Sequence, residues 1–501
     1  MVDSAPTPAA PNPAAAPATP PADLNDQLVQ TSHTLQLPDG PLKYTASSGR
    51  VVLREEVIEE GVWKGSVSKA QVAITAYTLD DADPHTRPIT FAFNGGPGSS
   101  SIWLHLGLLG PRRVVCGDVG ALVAPPYDLV DNTETLLAHS DLVFIDPVST
   151  GRSRAVEGGK PKDFHGFKRD LETVAEVIRR WVTSEGRWMS PKFIAGESYG
   201  TTRATGLAQL LQDDIGMHLN GLMLISSVLD FGMSDFEGQD PRGWSMYLPF
   251  YAATAHAHGK HGDRPLADVL AEAEEYASRD YPWVLSRGNR LSPDDRSKAV
   301  QRLAHLTGLS PEYVDRADLK IEHWRYFGEL LRAEGLTVGR LDSRFTGPAA
   351  SRIAEHMDAD PSMDAITGAY VAAYQHYAHA ELGHTDDAPF SVFGKGVNEE
   401  WSYKEFEGRS VYVSDRLERA MRANPHLRVQ IAYGYYDGAT PYFAAQETVA
   451  QLRLTPQALQ RIEHCYYPAG HMMYVHQPSR VQQSEDLAEF VRRAAGGTVP
   501  V

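Results

Sequence analysis

The chain has 501 residues, of which 42% are hydrophobic and 22% charged, and a formal net charge of −17. That length holds two or three average domains, or one large α/β domain with an insertion. The acidic balance disfavours nucleic acid and anionic membrane surfaces as partners, since both reward basic patches, and no apolar stretch approaches the length of a membrane-spanning helix.

Met1 to Leu24 is dominated by Pro and Ala and buries too little surface to fold, so a disordered tail is expected over about residues 1–35. The start lacks the basic residues and apolar run of a secretory signal. A tail of this kind also suits the region behind a removed signal, which leaves the compartment open between exported and cytoplasmic. The two cysteines, Cys116 and Cys465, read as free thiols, because a chain this large needs no disulfide framework.

Leu42 to Thr78 reads as a β-meander with alternating apolar positions. Pro88–Phe93 is a buried-strand run ending abruptly in Asn94-Gly95-Gly96-Pro97-Gly98. Asp141–Ile145 is a second such run, followed by a helical pattern from Phe164 to Ser184. Strand Lys192–Ala195, a helix from Tyr199 to Gln212 and strand Leu219–Ile225 come next. Apolar strands alternating with helices predict a doubly wound, mostly parallel sheet covered on both faces.

After Leu229 the rhythm changes. Residues 232–400 read as a helical cap insertion, with helix starts at Ser292-Pro293-Asp294 and Ser310-Pro311-Glu312. Strands return at Leu427–Tyr433 and Arg461–Tyr467, each followed by a helix. The catalytic domain is therefore expected over 36–231 and 401–501, since the last two strands would otherwise lack partners.

Gly196-Glu197-Ser198-Tyr199-Gly200 stands where a strand turns sharply into a helix, the pattern of a nucleophile elbow. Alone it is a weak signal. A serine attacking a carbonyl needs a base for its proton and an acid to orient that base, in the order Ser, Asp or Glu, His along doubly wound hydrolases. Asp437, just beyond one late strand, and His471, just beyond the other, meet that order. A tetrahedral intermediate also needs two backbone N–H donors. Tyr199 supplies one at its helix start, and the loop from Asn94 to Ser101 is the source expected for the other. No Lys-Ser/Thr pair follows that loop, so a phosphate-binding loop is the weaker reading.

Four blocks together resemble the serine carboxypeptidase family, in its bacterial branch: Asn94-Gly95-Gly96-Pro97-Gly98-Ser99-Ser100, Asp146-Pro147-Val148-Ser149-Thr150-Gly151, Gly196-Glu197-Ser198-Tyr199-Gly200, and the pair Asp437 and Gly470-His471-Met472. The resemblance implies an α/β-hydrolase fold and peptide or small acyl substrates, with no metal and no organic cofactor. It gives Ser198, His471 and Asp437 the roles of nucleophile, base and orienter, and makes Gly96 and Tyr199 the oxyanion donors. Asn94, Gly95 and Glu197 would hold the substrate's terminal carboxylate, with Met472 beside them. Glu197 can do so only while one of the two carboxyl groups keeps its proton, which favours mildly acidic conditions.

The sequence also departs from the family pattern. Leu108 stands where a second acid usually pairs with the Glu, Ala92 replaces a Trp, and Ser99 replaces a disulfide Cys. The loss of that acid predicts weaker acid dependence and altered carboxylate recognition. An acyltransferase or esterase uses the same triad, and a catalytically inactive binding protein is the reading from another class. His256, His258 and His261 read as a solvated cap surface rather than a metal site. Trp244, Tyr247, Phe250 and Tyr251 read as a core stripe, with a substrate wall as the alternative. Arg203 reads as structural.

Overall fold

The computed structural model of the chain describes residues 24–236 and 240–496. The elements used below are numbered in chain order: β1 Gln27–Leu37, β2 Gly40–Glu59, β3 Val62–Leu79, β4 Ile89–Phe93, β5 Asp141–Ile145, α1 Phe167–Ser184, β6 Lys192–Glu197, α2 Tyr199–Leu210, β7 Gly221–Ile225, α3 Arg242–Ala257, α4 Leu266–Ser278, α5 Pro293–Thr307, α6 His323–Glu329, α7 Pro361–Ala380, β8 Arg428–Gly434, α8 Tyr442–Ala450, β9 Ile462–Tyr467 and α9 Gln477–Ala494.

One sheet runs β1-β2-β3-β5-β4-β6-β7-β8-β9. The first four strands on this path pair antiparallel, and every pairing from β5 onward is parallel. Side chains alternate between its faces, as strand geometry requires. Ile194, Leu222, Leu224, Val429 and Ile431 enter the core shared with α1, α2 and α3. Phe193, Ala195, Met223, Ile225 and Ala432 enter the core on the other face, with α7 and α9. Both faces are covered, which is why these strands carry near-continuous apolar runs. The chain is an α/β protein with a mostly parallel sheet. Among the described residues no helix is long and apolar enough to cross a membrane.

The expected tail is corrected at its end. Residues 27–35 lie in β1, hydrogen-bonded along β2 from Leu37↔Gly40 to Gln27↔Arg50. Only Leu35 of this edge strand is fully buried, so its order comes from the backbone ladder rather than from an apolar pattern readable in the sequence. Residues 1–23 of that expected tail, and 497–501 of the expected catalytic domain, lie outside the described residues.

The stretch expected as one helical insertion has two parts. Helices α3 to α6 extend the first core, whereas α7 joins the second, where Tyr370 and Tyr377 pack with Trp103 and Tyr77. A short hairpin pairs Leu336–Val338 with Thr346–Pro348 between them. Residues 391–394 return to the sheet top, where Ser100 N–H donates to Val392 O (2.8 Å) and Gly394 N–H to Gly98 O (2.7 Å).

Candidate functional site

The strand order places the site. From β4 the chain goes to β5 on one side and then crosses to β6 on the other, so the loops leaving β4 and β6 diverge at one crevice at the carboxyl ends of the strands. At the end of β6, Ser198 has φ 61° and ψ −130°, a conformation that non-glycine residues adopt only under strain. Its flanking glycines are dictated by close approach. A Cβ on Gly196 would lie 2.2 Å from Gly200 O, and one on Gly200 would lie 2.9 Å from Phe93 O. The Ser198 hydroxyl makes no cap bond to α2, although its backbone is fixed by Ser198 N–H to Ile225 O (3.0 Å).

The β4 loop is pressed onto the start of α2. A Cβ on Gly95 would come within 2.5 Å of Tyr199 N. The Tyr199 N–H belongs to the first helical turn, whose donors have no intrahelical acceptor. Asn94 is held at three atoms: Nδ2 donates to Glu197 Oε1 (2.7 Å), Oδ1 accepts from Leu104 N–H (3.1 Å), and O accepts from Arg203 Nη1 (2.7 Å). Arg203, fully buried on α2, also donates from Nε to Asp170 Oδ2 (2.7 Å) and lies over the rings of Phe93 and Tyr199. It is structural, as the sequence suggested, and what it supports is the loop at the site.

His471 and Asp437 meet after β9 and β8. His471 Nδ1 bonds Asp437 Oδ2 at 2.8 Å, and both residues are buried. The Asp437 carboxylate also accepts from Ala439 N–H (2.8 Å), Thr440 N–H (2.9 Å) and Thr440 Oγ1 (2.7 Å), so its orientation is fixed from four sides. Burial pulls the His471 pKa down, but the Asp437 carboxylate, its hydrogen bond and the nearby Glu197 outweigh this and hold it above the ordinary histidine value. The imidazole's backbone is tied in turn: His471 N–H donates to Leu341 O (2.6 Å) and Ser226 Oγ to His471 O (2.6 Å).

A cavity of ≈ 130 Å³ gathers these groups. Asn94, Gly95, Gly96, Glu197, Ser198, His471 and Met472 line it together. Asp437 stands behind His471, and Tyr199 begins the helix behind Ser198. Trp103, Arg340, Leu341, Met363 and Phe393 also line it, and sequence reasoning had singled out none of these five. Arg340, Leu341 and Met363 come from segments far from any motif, so no local pattern marks them.

Glu197 is buried, with Oε1 facing Asn94 and Oε2 accepting from Tyr474 OH (2.7 Å). Its pKa is pushed up to about 7, by burial first, against the lowering effects of His471, Tyr474 and Asn94. Leu108 is buried and brings no carboxyl group, yet the rise survives without a second acid. Desolvation alone is the leading cause of the rise, and the partner on Oε2 is a phenol that lowers the value, not an acid that would raise it.

Three secondary readings are resolved by contacts. His256 Nε2, His258 Nε2 and His261 Nε2 bond the carbonyls of Arg264 (2.8 Å), Ser343 (2.7 Å) and His305 (2.9 Å), and His261 is buried, so these rings pin the insertion instead of forming a solvated surface. Trp244, Tyr247, Phe250 and Tyr251 are all buried in the first core and are not a substrate wall. Cys116 and Cys465 are both free.

Comparison with known proteins agrees with this architecture. Residues 76–246, from β3 into α3, match the family model described as serine carboxypeptidase. The fold is similar to that of Kex1Δp, a prohormone-processing carboxypeptidase from Saccharomyces cerevisiae, with 14% identity, 90% of this chain and 92% of that chain covered, and a TM-score of 0.56. A proline iminopeptidase from Mycobacterium smegmatis aligns at 14% identity over 93% of this chain and 99% of that chain, with a TM-score of 0.37. No curated protein sequence matches the chain. The molecule has the α/β-hydrolase fold. Within that fold, residues 76–246 carry the sequence pattern of the serine carboxypeptidases.

Proposed function

We propose that this protein is a serine-type carboxypeptidase that removes C-terminal residues from peptides through an acyl-enzyme. Ser198 attacks the last peptide carbonyl while His471 takes its proton, and Asp437 keeps the imidazole in the tautomer that accepts at Nε2. The Gly96 and Tyr199 N–H groups stabilise the oxyanion, an arrangement in which losing one donor costs about 10²–10³ in rate. His471 then returns the proton to the leaving amine. Water enters, the same imidazole deprotonates it, and the ester to Ser198 is hydrolysed. Asn94, Gly95, Glu197 and Met472 flank the departing residue.

The observation that carries this reading is the His471–Asp437 pair opening onto the same cavity as a strained, uncapped Ser198. Stoichiometric labelling by a fluorophosphonate, lost in Ser198→Ala, together with stepwise C-terminal shortening of a peptide library by mass spectrometry, is the expected result. Internal cuts, or no labelling, would overturn it. An acyltransferase or esterase is the second reading, favoured by a phenol, and no second acid, bonding Glu197. Partition of the acyl group to a competing amine or alcohol, with aryl esters outrunning blocked dipeptides, would select it.

A further inference from the structure

Within the site as read above, three groups are expected to hold a substrate carboxylate, Asn94, Gly95 and Glu197, and two of them already bond each other and their neighbours. Glu197 Oε1 and Oε2 accept from Asn94 and Tyr474, and Asn94 Oδ1 accepts from Leu104 N–H. None of the three supplies positive charge. One cation does reach the cavity wall, Arg340, on the loop between the halves of the Leu336–Pro348 hairpin.

Unlike Arg203, paired with Asp170, and Arg344, paired with Asp342, the Arg340 guanidinium has no carboxylate partner among the described residues, and its Nε is buried without a hydrogen-bond partner. Its one side-chain partner is the face of Trp324, 5.4 Å from the ring centroid. A buried guanidinium nitrogen left unpartnered is costly unless a ligand completes it, and its planar fork matches a carboxylate bidentately.

The backbone carrying it is welded to the reacting groups. Arg340 O accepts from Gly438 N–H (2.9 Å), one residue after Asp437, and Leu341 O accepts from His471 N–H (2.6 Å). Asp360 bonds the Arg340 and Leu341 amides (3.0 and 3.2 Å) and Ser362 Oγ rather than the guanidinium. The cation is thus held in fixed register with the candidate base.

We infer that Arg340 is a specificity-determining residue whose guanidinium receives a carboxylate of the substrate in the cavity shared with Ser198 and His471. The carboxylate comes either from the chain terminus or from an acidic last side chain. This inference rests on the proposed site, but equilibrium binding tests it without catalysis. The protein carrying Ser198→Ala is titrated calorimetrically with benzyloxycarbonyl-Phe-Ala as the free acid, the same compound as its C-terminal amide, and benzyloxycarbonyl-Phe-Asp amide.

The free acid is expected to bind roughly tenfold or more tighter than the Ala amide, as a charge-assisted bond implies, with the gap shrinking as salt rises. Adding Arg340→Gln should abolish the gap, and adding Arg340→Lys should keep part of it. Tight binding of the Asp amide instead assigns the site to an acidic side chain. Equal affinity for all three compounds, no binding of any, or an equal loss on all three in Arg340→Gln would overturn the inference. Arg340-dependent discrimination in a protein whose native form cleaves neither peptide nor ester would leave the inference standing and remove the catalytic reading.

Discussion

Glu197 is a carboxyl group that the fold prefers to keep protonated. Its pKa lies near 7 against an ordinary value of 4.5, with burial as the leading cause. A raised carboxyl pKa contributes stability that is complete below about 4.5 and is lost as pH rises through 7. The shift corresponds to about 3 kcal/mol between those limits. Glu197→Gln stays neutral, so it should unfold at higher temperature than the native protein above pH 8 and show little difference at pH 5, read from melting curves across pH. The substitution also removes one of the charges that hold the His471 pKa up. The acid limb of the pH–rate profile, set by the neutral base, should therefore move to lower pH. A melting difference independent of pH, or a limb moving upward, would contradict this account.

At the scale of elements, the strand ends and the elbow were legible because each carries a rule that depends on neighbours in sequence. Gly196 is required by a backbone contact within the turn itself, and β4, β5 and β7 are short apolar runs bounded by breakers. β1 was missed because a mostly exposed edge strand has no apolar signature, and Tyr474, Arg340 and Leu341 because their roles exist only after distant segments meet. The junction of β4 with α2 shows how such a meeting works. Arg203 is fully buried against Asp170 and also clamps Asn94 O, so one side chain couples α1, α2 and the β4 loop. Removing one partner of a buried pair costs about 3–5 kcal/mol, since the other charge is left without compensation. Arg203→Met should lower stability by about that much in urea titrations and reduce kcat by releasing Asn94. Joining it to Asp170→Leu should recover part of the stability but not the kcat, because the Asn94 clamp stays absent. A loss below about 1 kcal/mol for the single variant would show that the pair is not what holds this junction.

Across the whole molecule, the insertion and the sheet are joined by the same groups that build the site. Gly438 has no room for a side chain because Phe250 of α3 and Phe327 of α6 occupy the space, 2.7 and 2.8 Å from where a Cβ would lie. Thr254 and His258 at the end of α3 bond Ser343, whose N–H donates to Tyr436 O beside Asp437. Tyr442 on α8 donates to Glu274 on α4 (2.7 Å). One apolar cluster passes without a break from Phe91 and Ile194 in the sheet to Phe250, Phe327 and Leu303 in the insertion. A helical segment that merely covered a finished domain would keep its own core and melt separately. Here a separate melt would require opening apolar surface on both sides of a shared core, at about 25 cal/mol for each Å² exposed. Urea unfolding followed by far-UV circular dichroism should therefore coincide with unfolding followed by tryptophan fluorescence, which reports Trp244 and Trp324 in the insertion as well as Trp103 and Trp181 in the body. Loss of fluorophosphonate labelling should share the same midpoint, because the loops carrying Asp437 and His471 lose their supports when the insertion opens. A fluorescence transition well below the circular dichroism midpoint, with labelling retained between them, would mean that the insertion is an independent lid.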